Sequence, residues 1–159
     1  MRTTPTPGLP EGIKTRWPLF CLLVGAFGVR LAGVNYGLPL DVVPDEESLI
    51  YGALQMLNFK TLFPISHPGG FTLLYYPTLI PYIYLVFFTP VLLAQYLMGN
   101  FPDLLAFKQY FAEHMEGIWL TARFVQVLFG TATVYLVYKI GSILAGERVG
   151  LLAGAFLAV

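Results

Sequence analysis

From residue 17 onward the chain alternates between long apolar runs and short polar intervals. Residues 17–34 are apolar apart from Arg30, which is close to the roughly 20 residues that a membrane-crossing helix needs. Trp17 opens that run as an interfacial anchor, with Lys14 and Arg16 just before it holding its start in the cytoplasm. Residues 35–70 form a polar interval, and residues 71–98 are a second apolar run. Residues 99–117 are a mixed loop with Asp103, Lys108, Glu113, His114 and Glu116. Residues 118–139 are a third run, with Arg123 one turn inside its start and Lys139 at its end. A polar turn at Gly146-Glu147-Arg148 leads to residues 149–159, an apolar run too short to span. The pattern predicts an all-α, polytopic membrane protein of about three complete crossings and one truncated one. It reads as the N-terminal piece of a longer protein.

Within the first polar interval a second periodicity appears. Leu49, Ile50, Ala53, Leu54 and Leu57 recur at helical spacing, with Gln55 and Asn58 on another face. This predicts an amphipathic helix lying on the membrane surface in the first extracytoplasmic loop. Pro44 precedes its start, and Asp45 is placed as the N-cap with Glu46 and Glu47 in the first turn, where free backbone N–H groups and the helix dipole favour carboxylates. The second apolar run contains Pro77, Pro81 and Pro90, each removing a backbone donor, and is expected to be broken or kinked near its outer end.

Composition narrows the class. Of 159 residues, 57% are hydrophobic and 11% charged, against about 25% charged in soluble domains, and the mean hydropathy is +0.69. Soluble, disordered and coiled-coil readings need more charge than this. Residues 61–102, 42 in all, contain no Asp, Glu, Lys or Arg. Nine basic residues balance nine acidic ones, so no positive field exists to hold nucleic acid. The single cysteine, Cys21, excludes an intrachain disulfide. Residues 1–16, with three prolines, read as a disordered cytoplasmic tail. A cleaved signal peptide is disfavoured because Arg30 interrupts the approach to a poor cleavage site at Ala32-Gly33-Val34. Charge does not fix the topology after the second run. Strict alternation puts Lys139 and Arg148 outside, their charge argues for inside, and Lys108 and Arg123 pull the other way.

The few charges are the candidate chemistry. Asp45-Glu46-Glu47 serves either as a helix cap or as a source of an ionised carboxylate at the membrane boundary, able to accept a proton from an attacking hydroxyl or amine or to bind a divalent cation. Arg30 and Arg123 either snorkel to headgroups or meet a phosphate, whose oxygens match guanidinium donors in pairs. His67, in Ser66-His67-Pro68-Gly69-Gly70, is a turn residue or a phosphate or metal contact. Tyr75, Tyr76, Tyr82 and Tyr84 lie near the expected outer boundary, as an aromatic belt or as a sugar or isoprenoid surface.

The order of these features resembles a known family. Arg30, Gly37-Leu38-Pro39, Pro44-Asp45-Glu46, Ala53 and Met56, then Tyr76-Pro77-Thr78-Leu79-Ile80-Pro81-Tyr82 follow one another. Thr121-Ala122-Arg123-Phe124-Val125, Gly130-Thr131-Ala132-Thr133-Val134 and Gly146-Glu147-Arg148-Val149-Gly150 come after them. This is similar to the N-terminal part of the GT-C membrane glycosyltransferases, in the family-39 branch of the protein O-mannosyltransferases and the aminoarabinose transferase of lipid A. The resemblance implies a plasma-membrane enzyme that takes a sugar from a polyprenyl-phosphate donor and passes it to a protein, lipid or glycan acceptor on the outer face. It implies Asp45 as the catalytic acid residue with Glu46 its companion, and Arg30, His67, Tyr76 and Arg123 on the substrate side. His67-Pro68-Gly69-Gly70 matches the family's His-Pro-Pro-Leu segment only in part. A non-enzymatic membrane protein, such as a transporter half or assembly subunit, and a binder of lipid-linked sugar without turnover are the alternatives.

Overall fold

The computed structural model describes residues 16–38, 44–63, 79–99 and 101–159. They form six helices, α1 (Arg16–Ala32), α2 (Pro44–Phe59), α3 (Leu79–Met98), α4 (Leu104–Glu113), α5 (Glu116–Ala145) and α6 (Glu147–Ala158), and no strand. Two of them, α3 and α5, are long and apolar enough to cross a membrane, and α1 is a shorter apolar helix. The chain divides into two compact units. One joins the described residues up to Gly33 with Val127–Val159, and the other is Val34–Gln126, so α5 contributes to both.

In the first unit α1, the second part of α5 and α6 pack on small residues. Ala26, Val134 and Ala158 form its buried cluster, with Leu22 and Leu23 against it. Gly146, at φ 91°, turns the chain from α5 into α6, a left-handed conformation that glycine adopts without strain. At Gly150 a Cβ would lie 2.5 Å from the Tyr138 carbonyl oxygen and 2.8 Å from the Ser142 nitrogen. The two helices therefore touch backbone to backbone, as small residues permit between helices in lipid.

The second unit has a larger core of Ile50 and Ala53 from α2, Tyr84 and Phe88 from α3, and Ile118, Trp119, Ala122 and Val125 from α5. The apolar face of α2, expected from its spacing to lie on the membrane surface, is thus covered by protein. Spacing revealed that face, but an aliphatic stripe has the same pattern whether lipid or another helix covers it. Pro81 falls in the first turn of α3, where its missing N–H costs nothing. Pro90 sits inside the helix and leaves a carbonyl one turn earlier without its usual donor. The expected break near residue 77 lies outside the described residues.

Helix α4 occupies what reads in sequence as a mixed loop. Asp103 starts it, its side chain accepting from the Ala106 amide at 2.7 Å. Phe107 anchors it, with ring centroids 5.4 Å from Tyr96 and 5.2 Å from Phe101. In α5 the hydroxyls of Thr121, Thr131, Thr133 and Ser142 all donate to carbonyls four residues earlier, at 2.7–2.8 Å. A long apolar helix carries polar side chains this way without leaving them unpaired.

Candidate functional site

The acidic turn and Arg123 come together in the second unit. Helix α2 begins at Pro44, whose fixed φ suits a first helical position, so Asp45, Glu46 and Glu47 all stand in the first turn. Asp45 is therefore one residue inside the helix rather than its cap. It is exposed, while Glu46 is buried at 9% relative exposure. Arg123, on α5, reaches Glu46 through Nε at 3.1 Å from both carboxylate oxygens and through Nη2 at 3.0 Å from Oε2. Its Nη1 donates to the backbone carbonyls of Val34 at 2.9 Å and Tyr36 at 2.6 Å.

These bonds define what the group can do. A guanidinium has five N–H donors, and four of those of Arg123 are engaged, one by Nε, one by Nη2 and both by Nη1. Its charge is matched by Glu46. The side chain thus fastens three pieces of chain, namely the turn after α1, the first turn of α2 and α5. Both Glu46 oxygens face a cation already, so a divalent metal placed there would meet Arg123. Among the described residues no group of three or more His, Cys, Asp or Glu side chains is arranged to hold a metal ion.

Beside this lock is a half-open cavity of about 230 Å³ lined by Asn35, Leu38, Glu116 and Leu120. Asn35 lies between the two residues whose carbonyls Arg123 holds, and Gly37, at φ 77°, closes the turn. The cavity therefore offers one amide, one carboxylate and two aliphatic walls. Glu116 reads in sequence only as a loop charge, because nothing in its neighbours marks a cavity 81 residues from Asn35.

A second internal polar contact lies in the same unit, where the Gln126 amide donates to the buried Tyr84 hydroxyl at 2.6 Å and the Tyr84 ring stacks on Phe88 at 5.3 Å. The Tyr82 hydroxyl donates to the Leu62 carbonyl. Arg30 belongs to the first unit. Its Nη1 donates to the carbonyls of Ala26 and Ala158, each at 3.1 Å, and its Nη2 to that of Leu157 at 2.8 Å. A Cβ on Gly130 would come 2.8 Å from its Nε, so the arginine stem lies across a glycine. His67 and Tyr76 lie outside the described residues, as does Tyr75.

Comparison of the chain with family models, with curated proteins and with solved structures gave no match.

Proposed function

We propose that the chain is the N-terminal part of an integral-membrane glycosyltransferase of the GT-C type, similar to family 39. It transfers a sugar from a polyprenyl-phosphate donor to a protein, lipid or glycan acceptor on the outer face of the cell membrane. On this reading α1, α3, α5 and α6 lie in the bilayer as part of a multi-pass domain, with the N-terminus cytoplasmic. The observation that carries the proposal is the Glu46–Arg123 ion pair, which fixes the first turn of α2 and with it the exposed carboxylate of Asp45.

Asp45 is the general base. It takes the proton from the acceptor hydroxyl or amine as that atom bonds to the anomeric carbon. The bond from the anomeric carbon to the phosphate oxygen breaks on the opposite side, and its electron pair leaves with the polyprenyl phosphate, so configuration inverts. Glu46 and Arg123 are positioning residues. The lock supports this assignment over the phosphate contact implied for Arg123 by resemblance, because four of the arginine's donors are already used. Arg30 uses three of its five donors and, with His67 and Tyr76, remains assigned to the donor phosphate and its sugar.

The test is Asp45→Asn in the full-length protein, assayed for sugar transfer in membranes. Loss of a general base lowers the rate by about 10²–10⁴-fold, while thermal stability stays near wild type because Asp45 is not part of the buried lock. Transfer at the wild-type rate would remove Asp45 from catalysis. That outcome would favour the non-enzymatic reading, in which the ion pair only fastens helices.

A further inference from the structure

The first unit sets the direction of its helices. The Arg30 stem lies over Gly130, Ala26 shares a buried cluster with Val134, and Leu22 and Tyr138 both border Gly154. Residue numbers rise along α1 as they fall along α5, so these two helices are antiparallel. Helix α6 turns back along α5, with Gly150 against Gly141 and Gly154 against the Val134 carbonyl. In the second unit, Arg123 ties the chain just after α1, at Val34 and Tyr36, to α5 a few residues before that ladder begins.

On the membrane reading above, on which this step rests, α1 and the second part of α5 cross in opposite directions. The chain then leaves the bilayer after α1 and re-enters at α5 on the same side. Residues 34–126 must cross an even number of times. Among the described residues between these two crossings, α3 is the one helix long and apolar enough to cross. The 15 residues before it, 64–78, include Pro64, Pro68, Gly69, Gly70 and Pro77, and fall short of the about 20 apolar residues that a second crossing needs. We infer that α3 does not cross the membrane. It lies in the leaflet on the side where α1 ends, with its free apolar face against acyl chains.

Two further observations agree. The buried residues of α3 are Pro81, Tyr84 and Phe88, whereas Leu79, Val86, Leu93 and Leu97 form an exposed stripe along the other side. That stripe is wholly uncharged, in a chain segment without an ionisable Asp, Glu, Lys or Arg from residue 61 to 102, and lipid is the solvent it fits. Charge gives the second. With α3 crossing, Lys139 and Arg148 would lie on the side opposite Arg16. Without it, all three lie on one side, as cytoplasmic loops require. Arg123, left on the other side, is neutralised by Glu46, and Lys108 donates to Asn58.

The test uses the full-length protein with Cys21→Ser, into which single cysteines are placed by Asn35→Cys, Pro102→Cys or Arg148→Cys. Each is labelled in intact cells with a membrane-impermeant maleimide, before and after permeabilisation. Positions 35 and 102 are expected to label alike, and position 148 only from the opposite side. Opposite labelling of 35 and 102 overturns the inference, since α3 would then cross. Extraction of the unmodified protein by alkaline carbonate would instead overturn the membrane reading beneath it, and so would labelling of 35 and 148 from the same side. A fluorophore attached through Val86→Cys reports the occupant of the stripe. Lipids carrying a quencher near the headgroup should quench it at least twofold more than lipids carrying one near the chain end. Quenching by neither means that protein covers the face and overturns the lipid assignment.

Discussion

Glu46 and Arg123 illustrate how a charge can be stored inside an apolar protein. Each desolvated ion is costly alone, and the pair persists because the guanidinium fork also satisfies two backbone carbonyls. Removing one partner leaves the other buried and unmatched. Glu46→Ala or Arg123→Ala is therefore expected to cost about 3–5 kcal/mol, read as a fall in the thermal unfolding midpoint of the detergent-solubilised protein. The double variant should lose clearly less than the sum of the two, because neither leaves an orphan behind. Arg123→Lys should not restore stability, since one ammonium cannot hold a carboxylate and two carbonyls in this geometry. Sequence singled out both residues, from the acidic run and from a cation inside an apolar span. Their pairing was not legible, because 77 residues separate them and no periodicity links an amphipathic helix to a distant apolar one.

At the level of elements, legibility followed the strength of the local pattern. The uninterrupted apolar runs and the 49-50-53-54-57 spacing correspond to helices at α3, α5 and α2. Helix α4 was obscured because charges and aromatics alternate over residues 99–117, and its start depends on the Asp103 cap, which a charged loop residue resembles. Asp103→Ala is expected to cost about 0.5–2 kcal/mol, seen as faster amide hydrogen exchange confined to the first turn of α4. The α5–α6 contact gives a sharper contrast. Gly150→Ala places a methyl against backbone atoms that cannot swing away, and should destabilise by about 1–3 kcal/mol as overpacking does. At Gly25 and Gly28 in α1, an added methyl would meet nothing within 4 Å. Gly28→Ala should accordingly be neutral or stabilise by up to about 1 kcal/mol, measured in the same unfolding assay.

For the whole molecule, the hydrophobic-to-charged ratio identified the solvent but not the path of the chain through it. Apolarity measures what a segment tolerates, and α3 tolerates a bilayer core as readily as α5 does. Direction required contacts, namely the Arg30–Gly130 and Ala26–Val134 neighbours, and these come from side chains about 100 residues apart in sequence. The same contacts place the acidic turn of α2 and the cavity at Asn35 and Glu116 in the segment that starts and ends at one membrane face. A glycosyl acceptor arriving from that face would reach Asp45 without passing through lipid.

The Arg123 lock also bears on how the sequence can drift. Its bond to Glu46 involves a side chain, so a change at one position must be answered at the other, and related sequences should show positions 46 and 123 covarying. Its bonds at Val34 and Tyr36 are made to the main chain, which every amino acid supplies. Those two positions can vary freely while the contact survives, and the tie between the end of α1 and the start of α5 leaves no coevolutionary trace.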